Sequence, residues 1–260
     1  MQFLPKIRNR PYAGFMSGTY DDLAPLRVGD DMATEGESEP DRRPAAHQQV
    51  PITVVEPEGN ARGGIVLLHE SSEFTGPLLE LMQALATEGW TVVAPNLFHR
   101  ATDTPSTGVF GDELFEDFDA CFDWLTRRGV FPDCIGALGF DTAGTAACLV
   151  ATNRPIGAAV SVAARGIVSP LTGKAEALVE AAPRLQAPWL GLFGETDPNT
   201  PSEEVEQLRD AAARAEVASL VISYPGLLHR ADKPGDDEEE RDDLIDAQTR
   251  IFDWFDSNLR

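Results

Sequence analysis

Asp133-Cys-Ile-Gly-Ala-Leu-Gly-Phe-Asp-Thr-Ala-Gly-Thr145 is the stretch on which the fold turns. It opens with a short apolar run, Ile135 to Leu138. Gly139-Phe-Asp-Thr-Ala-Gly144 follows, and then the alanine-rich Thr145-Ala-Ala-Cys-Leu-Val-Ala151. The apolar run reads as a buried strand, the small residues as a sharp turn, and the alanines as a helix. Gly139 allows strand and helix to approach closely, and Ala143 and Gly144 keep the far side free of bulk. The apex residue, Asp141, is then forced outward at the top of a sheet. Small-x-nucleophile-x-small is the pattern of a nucleophile elbow, with aspartate where serine is usual. The bland alternative is a turn aspartate that caps the following helix.

Outward from this stretch, strands and helices alternate. On the N-terminal side, Gln49 to Val55 reads as an edge strand, because Pro51 cannot donate to a ladder. Gly64 to His69 and Trp90 to Pro95 are continuous apolar runs, as in a parallel sheet covered on both faces. Between them Pro77 to Thr87 has a helical stripe at Leu78, Leu81, Met82 and Leu85. Asn96 to Gly111 is a long loop of the kind that lines sites. Asp112 to Arg128 is an amphipathic helix with Leu114, Phe115, Phe118, Phe122 and Leu125 on one face. On the C-terminal side, strands are expected at Ile156–Val162, Pro188–Phe193 and Ala218–Tyr224. Helices are expected near Lys174–Glu180, over Pro201–Ala215 and over Asp242–Asn258. The alternation predicts an α/β fold, a doubly wound and mainly parallel sheet flanked by helices. No insertion long enough to make a large cap domain lies between residues 163 and 188.

Residues 1–47 differ from the rest. Asp30 to Arg43 is a charged run that reads as a solvated arm. Phe3, Tyr12, Phe15 and Tyr20 imply that part of the arm packs on something. The expected organisation is therefore an N-terminal arm over 1–47 and one α/β domain over 48–260.

Composition narrows the function classes. The 43 acidic residues against 21 basic ones give a net charge of −22. Such a surface repels nucleic acid and anionic membranes. No apolar run is long enough to span a bilayer, and the N-terminus lacks a signal-peptide core. Cys121, Cys134 and Cys148 are odd in number and not spaced for metal, so they read as reduced core thiols of a cytoplasmic protein. No metal or organic cofactor is expected, and the small-molecule partner would be met by a monomer or a homodimer. Asp236 to Asp243 reads as a solvated run leading into the last helix.

In a sheet of this kind ligands bind outside the carboxyl ends of the strands. Glu70 and Ser71, Asp141, Gly194-Glu-Thr-Asp-Pro198 and Tyr224-Pro-Gly-Leu-Leu-His229 all fall there. Elbow residue, then acid, then histidine, each after its own strand, is the order of α/β-hydrolases. Four stretches resemble the dienelactone hydrolase family of that superfamily. They are Ile65 to Gly76, Leu85 to Phe98, Gly191 to Pro198 and Tyr224 to His229, and the likeness covers about residues 48 to 258. The resemblance implies an α/β-hydrolase fold. It puts Asp141 at the nucleophile position, Asp197 at the triad acid, His229 at the triad base and Glu70 at the glutamate beside the nucleophile. The family uses cysteine, or sometimes serine, at the elbow, so aspartate is a departure.

The departure has chemical consequences. A carboxylate attacking an ester would form a high-energy anhydride. It suits displacement at a saturated carbon, such as an alkyl halide or an epoxide, and the ester so formed on Asp141 could be hydrolysed by water activated by His229. Amides of Thr142 and of Glu70 or Ser71 would form the oxyanion hole for that step. A leaving-group donor is not visible, Tyr224, His69 and His99 being the residues of suitable chemistry. Glu70 near Asp141 would also set two carboxylates against each other. Two expectations follow. One is a hydrolase of the dienelactone hydrolase type acting on a small ester, lactone, epoxide or halogenated substrate. The alternative is a degenerate scaffold that binds a small molecule or protein partner without turnover.

Overall fold

The computed structural model describes residues 18–27, 49–70, 76–100, 109–227 and 238–259, with side chains of the last segment from 242 onward. The charged run from Asp30 to Arg43, Phe3, Tyr12, Phe15, His47, residues 101–108 of the long loop, and Asp236 and Asp237 lie outside the described residues.

Eight strands form one sheet: β1 (Gly18–Pro25), β2 (Gln49–Glu56), β3 (Gly63–Leu68), β4 (Trp90–Pro95), β5 (Ile135–Phe140), β6 (Ala158–Val162), β7 (Trp189–Gly194) and β8 (Ser219–Tyr224). The spatial order is β1-β2-β4-β3-β5-β6-β7-β8. β1 is antiparallel to β2 and β2 to β4, and every pair from β4 to β8 is parallel. Among the described residues six α-helices accompany them: α1 (Gly76–Thr87), α2 (Asp112–Arg127), α3 (Thr142–Asn153), α4 (Leu178–Ala181), α5 (Ser202–Ala212) and α6 (Glu238–Asn258). No described helix is long and apolar enough to cross a membrane.

Two apolar layers explain why the parallel strands carry no polar alternation. On one face Leu78, Met82 and Leu85 of α1 and Ala247, Ile251 and Phe255 of α6 pack on Ile65, Leu67, Val92 and Leu138. On the other, Leu114, Phe118 and Leu125 of α2, Ala146, Ala147 and Val150 of α3, and Val205 and Leu208 of α5 pack on Val66, Leu68, Val93 and Ala137. Strands buried on both faces are nearly continuous apolar runs, as β3 and β5 are and as β4 is apart from Thr91. The three cysteines sit in these layers, buried and unpaired to one another. Burial pushes the Cys148 thiol up to about 12 and holds that of Cys121 well above the ordinary thiol range.

The sheet differs from expectation at its N-terminal edge. β2 is an interior strand, and the edge is β1, within the segment read as arm. Pro51 is tolerated inside because of where its backbone points. Its carbonyl accepts from the Asn96 amide at 2.8 Å, beyond the last β2–β4 pair at Ile52 and Pro95. The donor it lacks would face the Asn96 carbonyl at that ladder end, and that carbonyl accepts from the His99 amide at 3.2 Å instead. β1 is held by polar contacts more than by apolar burial. Tyr20 donates to Glu56 at 2.7 Å, and Trp124 and Arg128 both donate to Asp22 at 3.0 Å. Just past β1, Arg27 donates to Asp123 at 2.8 Å through Nε and at 2.7 Å through Nη2. Leu23 is left 48% exposed, as an edge strand permits.

Candidate functional site

The turn between β5 and α3 is built by small residues. A methyl group on Gly139 would lie 2.0 Å from the Ala143 carbonyl oxygen, and one on Gly144 would lie 2.9 Å from that of Val162. Strand and helix can meet this closely only with glycine at both positions. Between them Asp141 takes φ 53° and ψ −124°. That is a left-handed, strained conformation for a residue with a side chain, of the kind that clusters at functional sites. The Asp141 amide is tied to the Val162 carbonyl at 2.9 Å, which fixes the apex against β6.

The Asp141 side chain does not cap α3. The capping explanation of this aspartate is therefore set aside. The carboxylate is buried and pairs with Arg165, whose Nη2 donates to Oδ1 at 3.1 Å. Arg165 follows β6, and its main chain is pinned by Thr145, whose hydroxyl donates to the Arg165 carbonyl at 2.6 Å. The concern that Glu70 and Asp141 repel is also answered here. Glu70 is exposed, so water screens its charge, while Asp141 has a cation beside it. Arg165 was missed by sequence reasoning, although the signal was available: it sits just past the carboxyl end of β6, where ligands bind in such sheets.

Glu70 and Thr142 are brought together. Both line one narrow cleft with His69, Leu97, Phe98 and Phe110. His69, buried at the end of β3, also lines a second and wider groove of about 550 Å³. That groove runs over Thr19, Asp21, Leu23, Pro51, Leu79 and Asn96, and among the described residues no lysine or arginine lines it.

Asp197 is buried in the turn after β7. Its Oδ1 accepts from the Asn199 amide at 2.9 Å and from the Asn199 side chain at 3.0 Å. Part of this carboxylate is thus engaged in an Asx turn, as an Asp-Pro sequence suggests. The chain after β8 returns to the same place. A methyl group on Gly194 would lie 2.0 Å from the Leu227 carbonyl oxygen, so the segment leading toward His229 is seated against the end of β7. His229 and Ser71 themselves lie outside the described residues.

Two of the donors considered for a leaving group are committed elsewhere. The Tyr224 hydroxyl donates to Asp246 of α6 at 2.7 Å, and burial together with that carboxylate raises its pKa. The half-buried His99 packs on the fully buried Asp117 of α2, with its Nε2 3.1 Å away, and Arg100 joins the same carboxylate at 2.8 Å.

The chain matches the family model "Dienelactone hydrolase family" over residues 50–259. A protein of Salmonella typhimurium strain LT2 named "Putative carboxymethylenebutenolidase" is 28% identical over 192 residues, which is 68% of this chain and 70% of that one. Among solved structures, the "Putative Dienelactone Hydrolase" of Klebsiella pneumoniae superposes with a TM-score of 0.69 at 21% identity, covering 92% of this chain and 99% of that one. The dienelactone hydrolase of Anabaena variabilis gives a TM-score of 0.61 at 18% identity, covering 93% and 99%. At such identities these two speak for the fold alone. The match over residues 50–259, which runs from β2 to the end of α6, carries the conclusion that this chain belongs to the dienelactone hydrolase family, a hydrolase family of α/β-hydrolase fold.

Proposed function

We propose that the protein hydrolyses a small molecule at a saturated carbon, an alkyl halide or an epoxide, with Asp141 as nucleophile, His229 as base and Asp197 as the acid that orients the base. Activated esters and lactones stay in the candidate set, since family relatives carry the name carboxymethylenebutenolidase. The observation that carries this reading is the backbone of Asp141. It keeps a strained elbow conformation, and its side chain does not perform the capping role that would otherwise explain it. Strain of about 1–3 kcal/mol persists where the surrounding structure holds it and function uses it. The Asp141 ester would form first. Water deprotonated by His229 would then attack its carbonyl, and the amides of Thr142 and of Glu70 or Ser71 would steady the oxyanion. The groove of about 550 Å³ beside His69 has room for a small substrate's remote end.

Turnover of activated esters, lactones, epoxides and haloacids is to be compared in wild type, Asp141→Ala and His229→Ala. Single-turnover reaction in heavy-oxygen water, followed by peptide mass spectrometry, shows whether label enters Asp141. Label in Asp141 is the expected result. Turnover that survives both substitutions unchanged sinks the proposal. The Arg165–Asp141 ion pair favours a second reading, since a carboxylate engaged by a guanidinium is a weaker nucleophile. In that reading the scaffold binds a small molecule without turnover, and no member of the panel is consumed.

A further inference from the structure

Attack by a carboxylate at a saturated carbon moves a negative charge. Before the step the charge sits on Asp141. Afterwards Asp141 is a neutral ester, and the charge has gone to the departing group. Neither Tyr224 nor His99 can meet that group, since each is bound to a carboxylate on a helix. The cation beside the elbow can.

Arg165 has the required features. Its Nη2 is 3.1 Å from Oδ1 of Asp141. Its main chain is fixed by the Thr145 hydroxyl on one side. On the other, the Leu178 amide donates to the Gly166 carbonyl at 3.1 Å, where Gly166 turns the chain at φ 71°. Its Nε–H is buried and has no acceptor among the described residues. A buried donor without an acceptor is costly, and a bound anion would supply one. The side chain is 33% exposed, so a small ion can reach the guanidinium from solvent.

We propose that Arg165 is the receptor for a halide leaving group. The inference rests on the reading of Asp141 as a nucleophile at saturated carbon. In the first step the bond from the Asp141 oxygen to carbon forms and the carbon–halogen bond breaks, its electron pair leaving with the halide. Arg165 exchanges one anionic partner for another, and the net charge of the site is unchanged. In the second step water adds to the ester, its proton passes to His229, and alcohol and carboxylate are released. The restored Asp141 carboxylate then competes with the halide for Arg165 and expels it. With a net charge of −22, the chain's overall field works against unspecific halide binding, so a bound halide reports a local site.

The site can be tested without turnover, because Asp141→Asn imitates the neutral ester. Bromide binding is measured by calorimetry and by bromide NMR line broadening at constant ionic strength. Asp141→Asn is expected to bind bromide at least about tenfold more tightly than wild type, equivalent to about 1.4 kcal/mol. The double variant Asp141→Asn/Arg165→Gln is expected to fall back to wild-type background. Circular dichroism checks folding, and Asp141→Ala carries the same expectation should the asparagine variant fold poorly. Equal bromide affinity in the single and double variants overturns the anion site. Bromide binding that tracks Arg165, with no heavy oxygen in Asp141 during turnover, overturns the nucleophile instead and with it the role of Arg165 in leaving-group release.

Discussion

Asp141 offers a sharp test of the elbow through two substitutions that differ only in backbone freedom. Asp141→Ala and Asp141→Gly both remove the carboxylate and its pairing with Arg165, so that loss cancels between them. On ordinary backbone, glycine would be the less stable of the two by about 0.5–1 kcal/mol, because it loses more conformational freedom on folding. At φ 53° and ψ −124° the order should invert. A residue with a Cβ in this sparsely populated region carries strain of about 1–3 kcal/mol, and glycine carries little. Subtracting the entropy term leaves glycine ahead by up to about 2.5 kcal/mol, with about 1 kcal/mol the central expectation, or roughly 2–4 °C in Tm for each kcal/mol in a domain of this size. Urea unfolding gives both values, and equal m-values certify that the unfolded states are comparable. An alanine variant as stable as the glycine variant, or more so, refutes the strain and removes the observation on which the proposed function stands.

Other perturbations probe the frame around the elbow. Gly139→Ala sets a methyl 2.0 Å from a backbone oxygen that cannot move without opening the β5–α3 contact, whereas Gly173→Ala meets nothing within 4 Å. The first should cost about 3 kcal/mol or more and the second less than about 0.5 kcal/mol, read as urea midpoints. Under α3, Trp189 donates to Ser161 at 2.9 Å and Ser161 to the Gly144 carbonyl at 2.7 Å. Ser161→Ala leaves the buried indole N–H without an acceptor and should cost about 1–3 kcal/mol; an unchanged midpoint would count against that link. Cys121 and Cys148 should resist Ellman's reagent at neutral pH until the chain is unfolded. Both thiols have a raised folded-state pKa, so their contribution to stability is complete below the unfolded value, near 8.5. It should fall as pH rises above that, by about 1.4 kcal/mol per pH unit for each thiol, seen as urea midpoints that decline between pH 8 and 10.

The interior of the fold was legible because the inner parallel strands β3 to β7 are buried on both faces and so are almost wholly apolar, Thr91 and Ser161 being the polar residues among them. Helix α3 runs from Thr142 to Asn153, where the alanine-rich stretch placed it. The edge was not legible. In Gly18 to Pro25 the residues facing α2 are Tyr20, Asp22 and Ala24, and a carboxylate in the middle of that face spoils the apolar alternation that marks a strand. Asp22 is acceptable there only because Trp124 and Arg128 stand opposite, some hundred residues along the chain. Long-range neutralisation of this kind leaves no local trace. The misassigned edge at β2 had the same origin. Proline was read as excluding an inner strand, but the side of the ladder its backbone faces depends on register, and here that side is the ladder's end.

The site was half legible for a similar reason. Glycine spacing and strand ends are local, so the placement of Asp141, Thr142, Glu70 and Asp197 just past the carboxyl ends of their strands could be read from sequence. The charge state around them depends on what the fold brings near. Read locally, the elbow showed two acids in opposition, with Glu70 the neighbour of Asp141. In the folded chain β6 lies next to β5 and delivers Arg165 to the carboxylate, while Glu70 faces solvent. An aspartate elbow in a strongly acidic protein therefore has a cation of its own, and the same cation is what an anionic leaving group needs. If Arg165 served only to neutralise a structural aspartate, replacing both residues by neutral ones of similar size should restore most of the stability that either single change removes. If it serves the reaction, the double variant can regain stability but not turnover. Measuring both quantities on Asp141→Asn, Arg165→Gln and the pair separates a structural ion pair from a functional one.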